Sequence, residues 1–370
     1  MRSSLKLLLI TGSLVALSLG AAGLVPLAAA DAATPAYTIT NLGNLGYPQL
    51  SEPAGINSAG QVTGESTTAA TFTITCGPPK HRTTCTEHLI HGYLYSAGAL
   101  TDLGTLGGKY SAGAAINDSG TVAGYADLSS GIAHAALFHG GTVTDLGSLS
   151  GPTGSSGATA INDLGQVAGS TTYPGSGGGQ EAFVETNGVM TGLGILPGGT
   201  GSAATGINAS GEVIGVGDNA ASDERAFVYS NGVKTDLGTL GGPNAVAGAI
   251  NDNGLIVGYS QTASDADHVF SYSNGTMTDL GAYNIDTVPE AINDSGVFVG
   301  QTYGVNSNGT PFTDAFIYTG GKFEDLNTLI PAGSGYVLTN ATGINNSGQI
   351  VVDAVNSTNG QNASFLLTPA

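Results

Sequence analysis

Basic residues are scarce in this sequence. Eight of its 370 residues are Lys or Arg, against 27 Asp and Glu, and the formal net charge is −19 at pH 7. Nucleic-acid binding needs clustered Lys and Arg to neutralise phosphates, so nucleic acid is excluded as a partner. Two cysteines are too few for a small disulfide-scaffolded domain. Hydrophobic residues nevertheless make up 41% of the chain, which excludes an acidic disordered protein.

The first thirty residues have the composition of an export signal. Arg2 and Lys6 precede an apolar stretch at 7–27, and three alanines follow at 28–30. An uncleaved membrane anchor is the alternative, but glycines and a proline interrupt the apolar run, which favours cleavage after Ala30. We therefore expect residues 1–30 to be a signal peptide. The mature chain is then secreted or at the cell surface, with the periplasm as an alternative, and has no further membrane span.

Glycine is abundant, with 60 residues, and its positions reveal an internal repeat. A strict three-residue period is missing, which excludes collagen. The recurring string is Ile-Asn-x-x-Gly-x-x-x-Gly, as in AINDNGLIVG at 249–258. Its asparagine occurs seven times, at intervals of 42 to 60 residues: Asn57, Asn117, Asn162, Asn208, Asn251, Asn293 and Asn345. Residues 31–370 are therefore predicted to form one domain of seven repeats.

Each repeat contains the signals of four strands. In residues 225–259, a short aromatic strand (RAFVY) is followed by Asn231-Gly232, a strong hairpin signal, and by the strand VKTDLGTL. The strands AVAGAI and LIVGYS then flank a turn at NDNG, which the asparagine side chain is expected to cap. Four short strands in about 45 residues are typical of a β-propeller blade. β-helices, helical solenoids and sandwiches fit this pattern less well.

We therefore predict an all-β fold, a single seven-bladed β-propeller of four-stranded blades. The mature chain starts with a second strand, YTITNLG at 37–43, and ends with a first strand, ASFLL at 363–367. These two strands form a tight hairpin in the other repeats, so here they are expected to pair without a turn. That pairing would close the ring and remove exposed sheet edges.

The connections predicted at one end of the strands vary in length, and variable loops on a rigid scaffold commonly bind ligands. The longest is a loop insertion at 65–90, which contains both cysteines. In an exported protein Cys76 and Cys85 are expected to form a disulfide; a metal pair with His81 or His88 is the rival interpretation. Candidate binding residues in this insertion are Lys80, His81, Arg82 and His88. The alternative is a tolerated insertion without a function.

The sequence contains no recognisable catalytic motif. Neither His-Glu-x-x-His nor Gly-x-Ser-x-Gly occurs in the sequence. His91, His134 and His268 occupy one repeat position, which explains them without catalysis. An aspartate recurs in Asp-Leu-Gly, and we expect it to accept hydrogen bonds from backbone amides. A Ca²⁺-binding ring near the axis is the alternative for these residues: Asp102, Asp145, Asp236, Asp279 and Asp325.

The repeat resembles the HAF family of extracellular bacterial repeats, named for a His-Ala-Phe strand. The resemblance rests on TDLGTLGG at 101–108 and 235–242, on the Ile-Asn string, and on strands such as HAALF at 134–138. It covers essentially the whole mature chain. The sequence departs from the family where Tyr or Phe replaces a tryptophan and where Val352 replaces a glycine. The resemblance implies a secreted bacterial repeat protein and no established catalytic residues.

From these observations we expect a secreted, non-enzymatic repeat protein, a monomer without a cofactor. It would act as an extracellular binding or scaffold propeller for a glycan or protein ligand. The alternative function is a secreted hydrolase or lyase acting on polysaccharide through carboxylates at the ring axis, which rests on fold analogy alone. A structural surface protein without a discrete ligand is a third possibility.

Overall fold

Each repeat folds into four antiparallel strands. The computed structural model describes residues 36–76, 82–175 and 179–370, and the predicted signal peptide lies outside them. The described residues form 28 strands and one short 3-10 helix, Leu326–Thr328, within the compact unit Pro35–Ala370. The predicted all-β class is confirmed. We number the four-stranded units one to seven by the chain order of their first strands.

The four strands of a unit are called inner, second, third and outer, in their order across the sheet. The inner strands are Gly46–Ile56, Gly107–Ile116, Ser156–Ile161, Ser202–Ile207, Gly241–Ile250, Asp286–Ile292 and Tyr336–Ile344. The second strands are Val62–Cys76, Val122–Leu128, Val167–Thr172, Val213–Asp218, Ile256–Thr262, Phe298–Val305 and Ile350–Asn356. The third strands are Thr83–Ser96, Ala133–His139, Gln180–Thr186, Glu224–Ser230, Asp267–Ser273, Pro311–Thr319 and Asn362–Pro369. The outer strands of units one to six are Ala99–Asp102, Thr142–Gly147, Val189–Gly192, Val233–Asp236, Thr276–Gly281 and Lys322–Asp325.

The outer strand of unit seven comes from the other end of the described chain. Tyr37–Asn41 pairs antiparallel with Asn362–Pro369, with Tyr37 opposite Pro369 and Asn41 opposite Phe365. Units three to seven are separate four-stranded sheets. Units one and two are joined into one eight-stranded sheet by a single parallel pair, Ile90 with Tyr110.

The sheet boundaries correct the unit that the sequence suggested. Residues 225–259 span two sheets: the strands Glu224–Ser230 and Val233–Asp236 end unit four, and Gly241–Ile250 begins unit five. The reason is that Val213–Asp218 pairs with Glu224–Ser230, so the strand after the Ile-Asn turn precedes the aromatic strand within one sheet. A periodic sequence fixes the order of strands but not where a sheet starts.

Both predicted turns form as expected. Asn231 and Gly232 have φ of 51° and 81°, the left-handed pair of a type I′ hairpin. In the NDNG turn, the backbone N–H of Gly254 donates to the Asn251 carbonyl at 3.0 Å. The Asn251 Oδ1 accepts from the N–H of Leu255 at 2.9 Å, so the asparagine caps its own turn.

The hydrophobic core lies between consecutive sheets. Ile214 and Ala226 of unit four pack with Ala247, Ile256 and Phe270 of unit five in one buried cluster. Because each sheet covers the face of its neighbour, a single unit cannot bury its own apolar residues. This arrangement of four-stranded sheets is the β-propeller fold.

Candidate functional site

Hydrogen bonds of the repeat asparagines connect the inner turns of neighbouring units. Each repeat asparagine is buried and donates its Nδ2 hydrogen to the backbone oxygen of the asparagine in the next unit. Asn251 donates to Asn293 at 3.0 Å, and Asn345 of unit seven donates to Asn57 of unit one at 3.0 Å. The other five bonds measure 3.0 to 3.4 Å. The asparagines therefore connect units as well as cap turns.

A cavity of about 260 Å³ opens at the turn end of the inner strands and is lined by residues of all seven units. Four aspartates that directly follow the repeat asparagine lie around it. Each accepts a backbone N–H bond from the preceding unit at 2.8 to 3.0 Å: Asp118, Asp163, Asp252 and Asp294. Sequence reasoning missed these axial carboxylates, although the Asn-Asp pair recurs in four copies. Their hydrogen bonds give them a structural role.

A second cavity of about 210 Å³ lies deeper along the same axis. The inner-strand position three residues before the asparagine faces it and is mostly Ala, Thr or Gly. Unit six differs, because Glu290 places a carboxylate there. Gln301 Nε2 donates to this carboxylate at 3.3 Å. Burial raises the pKa of Glu290, and the bond from Gln301 opposes that rise.

The Asp-Leu-Gly aspartates are on the outer strands and not at the axis, which the inner strands line. Asp102 Oδ1 accepts from the N–H of Gly104 at 2.8 Å, and its carboxylate lies 2.8 Å from His91 Nδ1. Burial raises the pKa of Asp102, but the bonds from His91 and Gly104 outweigh it and lower the pKa. Equivalent base–acid pairs occur in three more units: His134–Asp145, Arg225–Asp236 and His268–Asp279. These repeat histidines therefore orient the outer strand.

The predicted loop insertion at 65–90 is largely a β-hairpin. Its residues extend the second and third strands of unit one, and Thr71 to Cys76 pair with His88 to Thr83. The reason is local composition, since alternating Thr, Phe and Ile favour strands. The predicted disulfide is confirmed: Cys76 and Cys85 are bonded, with their Cα atoms 5.9 Å apart.

Two of the four candidate binding residues, Arg82 and His88, are in the described part of this hairpin. Lys80 and His81 lie outside the described residues, and Arg82 is exposed. His88 is engaged in packing: its Nδ1 lies 2.9 Å from the Thr68 carbonyl oxygen, and its ring stacks on Tyr47 at a centroid distance of 3.6 Å. His88 therefore holds the hairpin base.

The end with variable connections contains two larger cavities. One, of about 550 Å³, lies between units two and three and includes Tyr173 and Ser150. The other, of about 460 Å³, lies between units six and seven; we call it the six–seven cavity. Its lining combines an aromatic ring, hydroxyls, an amide and two carboxylates: Tyr336, Ser334, Ser357, Asn327, Asp314 and Asp325.

Unit six departs from the base–acid pattern in this cavity. Asp314 occupies the third-strand position where units one, two, four and five have His or Arg. It therefore faces Asp325 without the His or Arg side chain that those four units place there. Burial, and then the charge of Asp325, raise the pKa of Asp314. Asp325 Oδ1 already accepts from the backbone N–H of Asn327 at 2.8 Å and from its Nδ2 at 3.0 Å. A polar ligand that donates hydrogen bonds would therefore meet Asp314 and the other oxygen of Asp325.

Within the described ranges, no three His, Cys, Asp or Glu side chains are placed to bind one metal ion. No helix in the described part of the chain is long and apolar enough to cross a membrane.

No family model and no curated protein sequence matches this chain. Among solved structures, TolB from Acinetobacter baumannii is 12% identical with a TM-score of 0.40, covering 76% of this chain and 60% of TolB. The β-propeller domain of the Trilobed protease from Pyrococcus furiosus is 9% identical with a TM-score of 0.46, covering 86% and 94%. The Aleuria aurantia lectin is 11% identical with a TM-score of 0.31, covering 68% and 93%. At this level of similarity no activity is transferred to this chain.

Proposed function

We propose that this protein is a secreted, non-enzymatic propeller of the HAF family that binds a glycan or protein ligand outside the cell. The two ends of its sheets differ. Tight, uniform turns occupy one end, and variable connections with polar cavities occupy the other. The variable end is therefore the proposed binding end. The disulfide Cys76–Cys85 supports export, because such bonds persist in oxidising compartments.

We further propose that the seven units form one closed seven-bladed ring. Three observations at the two ends of the described chain support closure. Tyr37–Asn41 pairs with Asn362–Pro369, and Asn345 donates to Asn57. Val351 and Leu366 of unit seven pack with Val62 of unit one. A closed ring gives the cavities at its rim a rigid frame.

The six–seven cavity is the observation that carries the binding proposal. Tyr336 offers an apolar ring face with a polar tip, and the nearby hydroxyls and carboxylates accept and donate hydrogen bonds. Concave sites with one aromatic surface and a few converging polar groups are typical of small-ligand pockets. A sugar matches this lining, because its hydroxyls can donate to Asp314 and Asp325 while its C–H face lies on the tyrosine.

Binding of the full mature chain to a glycan array and to cell-surface proteins tests this proposal. Asp314→His recreates the His–Asp pair of units one, two and five, so we expect this variant to fold and to bind at least about tenfold more weakly. Tyr336→Ala should have a similar effect. Asp265→Asn, in an exposed loop of unit five at the same end, is the matched control and should bind normally.

Unchanged binding by both Asp314→His and Tyr336→Ala would show that the ligand does not bind in this cavity. Failure of the parent chain to bind any glycan or surface protein would contradict the function itself.

A further inference from the structure

Unit six differs from the other six units of the described chain, because it places two acids where four of them pair a base with an acid. In units one, two, four and five, a His or Arg of the third strand lies 2.8 to 3.0 Å from an aspartate of the outer strand. Unit three combines a glutamate with a glycine at these positions, and unit seven an alanine with an asparagine. Unit six has Asp314 and Asp325. None of the ion pairs among the described residues includes either of these carboxylates.

The strand register gives the two carboxylates of unit six the geometry of a base–acid pair. In units four and six alike, the outer-strand aspartate stands opposite the phenylalanine that follows the third-strand residue by two positions. From this position Arg225 of unit four reaches Asp236, with its Nε 3.0 Å from the carboxylate. Asp314 has a shorter side chain and no positive charge, and both it and Asp325 line the six–seven cavity. The cavity therefore lies beside the place where other units hold a base.

The bases of units two and four also contact a backbone oxygen of the following unit. His134 Nε2 lies 3.0 Å from the Gly154 carbonyl oxygen, and Arg225 Nη1 donates to the Pro243 carbonyl oxygen at 3.3 Å. The register of the inner and second strands makes Tyr336 the equivalent residue of unit seven. Tyr336 also lines the six–seven cavity. A cation at the place of the missing base would therefore meet carboxylates of unit six and a carbonyl group of unit seven.

We propose that the six–seven cavity binds the protonated amine of an amino sugar, which takes the place that a His or Arg side chain has in other units. This inference rests on the proposed function and names the class of its glycan. An ammonium group has three N–H donors. Asp314, the second oxygen of Asp325 and the Tyr336 carbonyl oxygen are its acceptors. Hydrogen bonds between two charged groups are stronger than those from a neutral hydroxyl, so the amine is the group that this cavity selects.

The rest of the lining favours a sugar over a lysine side chain. Phe365 packs edge-to-face on the Tyr336 ring at a centroid distance of 4.7 Å, which fixes the ring at the cavity. An aromatic ring can bind both the apolar C–H face of a sugar and an adjacent ammonium group. Ser357 Oγ donates to the Gly335 carbonyl oxygen at 2.9 Å and can still accept a hydrogen bond. A sugar hydroxyl can donate that bond, whereas the aliphatic stem of lysine cannot.

Calorimetry with two tetrasaccharides of the same backbone tests the role of the amine. The probes are β-1,4-linked tetraglucosamine and its fully N-acetylated form, which has no amine to protonate. Both are titrated into the full mature chain with a chelator present, at physiological salt and at about pH 6, where an amine is protonated. We expect the parent chain to bind tetraglucosamine at least about tenfold more tightly than the N-acetylated form.

Asp314→Asn removes the charge and retains a hydrogen-bond acceptor. Unit seven has an alanine at this position, so the variant should fold and keep a Tm near that of the parent. It should bind tetraglucosamine at least about tenfold more weakly and lose most of the preference for the amine. Asp265→Asn changes the net charge equally and should bind as the parent does. This control separates binding in the cavity from general attraction of a cationic probe to a chain of net charge −19.

Equal affinity of the parent for the two tetrasaccharides, or unchanged affinity of Asp314→Asn for tetraglucosamine, would overturn the proposal. Equal binding of Nα-acetyl-lysine amide and tetraglucosamine would overturn it in favour of a lysine side chain. Binding of a neutral glycan that Asp314→His loses and Asp314→Asn keeps would also overturn it, but would leave the proposed binding function intact.

Discussion

At the scale of single residues, the sequence predicts local roles better than long-range ones. The turn-capping role of Asn251 follows from its place at the start of NDNG. Its hydrogen-bond partners, the backbone N–H groups of Gly254 and Leu255, are within four residues of it. Its bond to Asn293 in the next unit could not be predicted, since no local pattern specifies which backbone oxygen a neighbouring sheet presents. Asp102 could likewise be expected to accept hydrogen bonds from backbone N–H groups, because these groups are close in sequence. Its position on an outer strand became clear only from the order of the strands in the sheet.

The raised pKa of Asp353 predicts a pH-dependent stability. The folded protein keeps this proton up to a pKa of about 8, whereas the unfolded chain releases it near 3.8. The free energy of unfolding should therefore fall as the pH rises from about 4 to about 8, because the unfolded state binds fewer protons over this range. Burial of Asp353 maintains most of this shift, and the charges of Glu52 and then Glu290 add to it.

Denaturant unfolding at several pH values measures this dependence. Asp353→Asn has no titrating group at this position, so the difference in unfolding free energy between variant and parent should shift in favour of the variant as the pH increases. A difference that stays constant from pH 4 to 8 would show that Asp353 titrates normally.

At the scale of strands and turns, patterns of glycine and alternating residues predict most elements. The Asn-Gly hairpins and the Ile-Asn turns form where the sequence places them, because their left-handed backbone angles demand those residues. Two features could not be predicted. A repeating sequence gives the same order of strands wherever a unit is taken to begin, so the boundary between two sheets becomes clear only from the hydrogen bonds between strands. The hairpin at 65–90 could not be predicted from the repeat, because its strand pairing lies outside the repeat pattern.

The glycine in the middle of the second strand has a steric role that can be tested. A Cβ at Gly258 would collide with the carbonyl oxygen of Val246 and would lie 2.8 Å from Phe270 Cζ. Gly258→Ala should therefore lower the free energy of unfolding by about 1 to 3 kcal/mol through overpacking. Gly157→Ala is the matched control, since a Cβ there meets nothing within 4 Å. Denaturant unfolding that ranks the two variants equally would contradict this account of the glycine.

At the scale of the whole molecule, the buried apolar residues of consecutive units pack against one another. Each buried cluster joins consecutive sheets, and one joins units seven and one through Val62, Tyr93 and Val351. A strand at either end of the series therefore matters as much as one in the middle. The sequence predicted the pairing of these end strands from the absence of a covalent turn, which is an argument about topology rather than about local propensity.

Truncation and circular permutation together test the proposed closed ring. Deleting residues 360–370 removes the third strand of unit seven, including buried Phe365 and Leu367, and exposes the strands on both sides of it. We expect a large drop in Tm and loss of cooperative unfolding.

In the permutant, a short Gly-Ser linker joins Ala370 to Ala36, whose backbone groups are already hydrogen-bonded at 2.9 Å. The new termini lie between Gly320 and Gly321, in a hairpin turn. The permutant keeps every strand pair of the ring and should unfold cooperatively near the parent Tm, because exposed turns tolerate new ends. An unaltered Tm after the truncation, or failure of the permutant to fold while the truncation folds, would mean that the first and last units do not hold the molecule together.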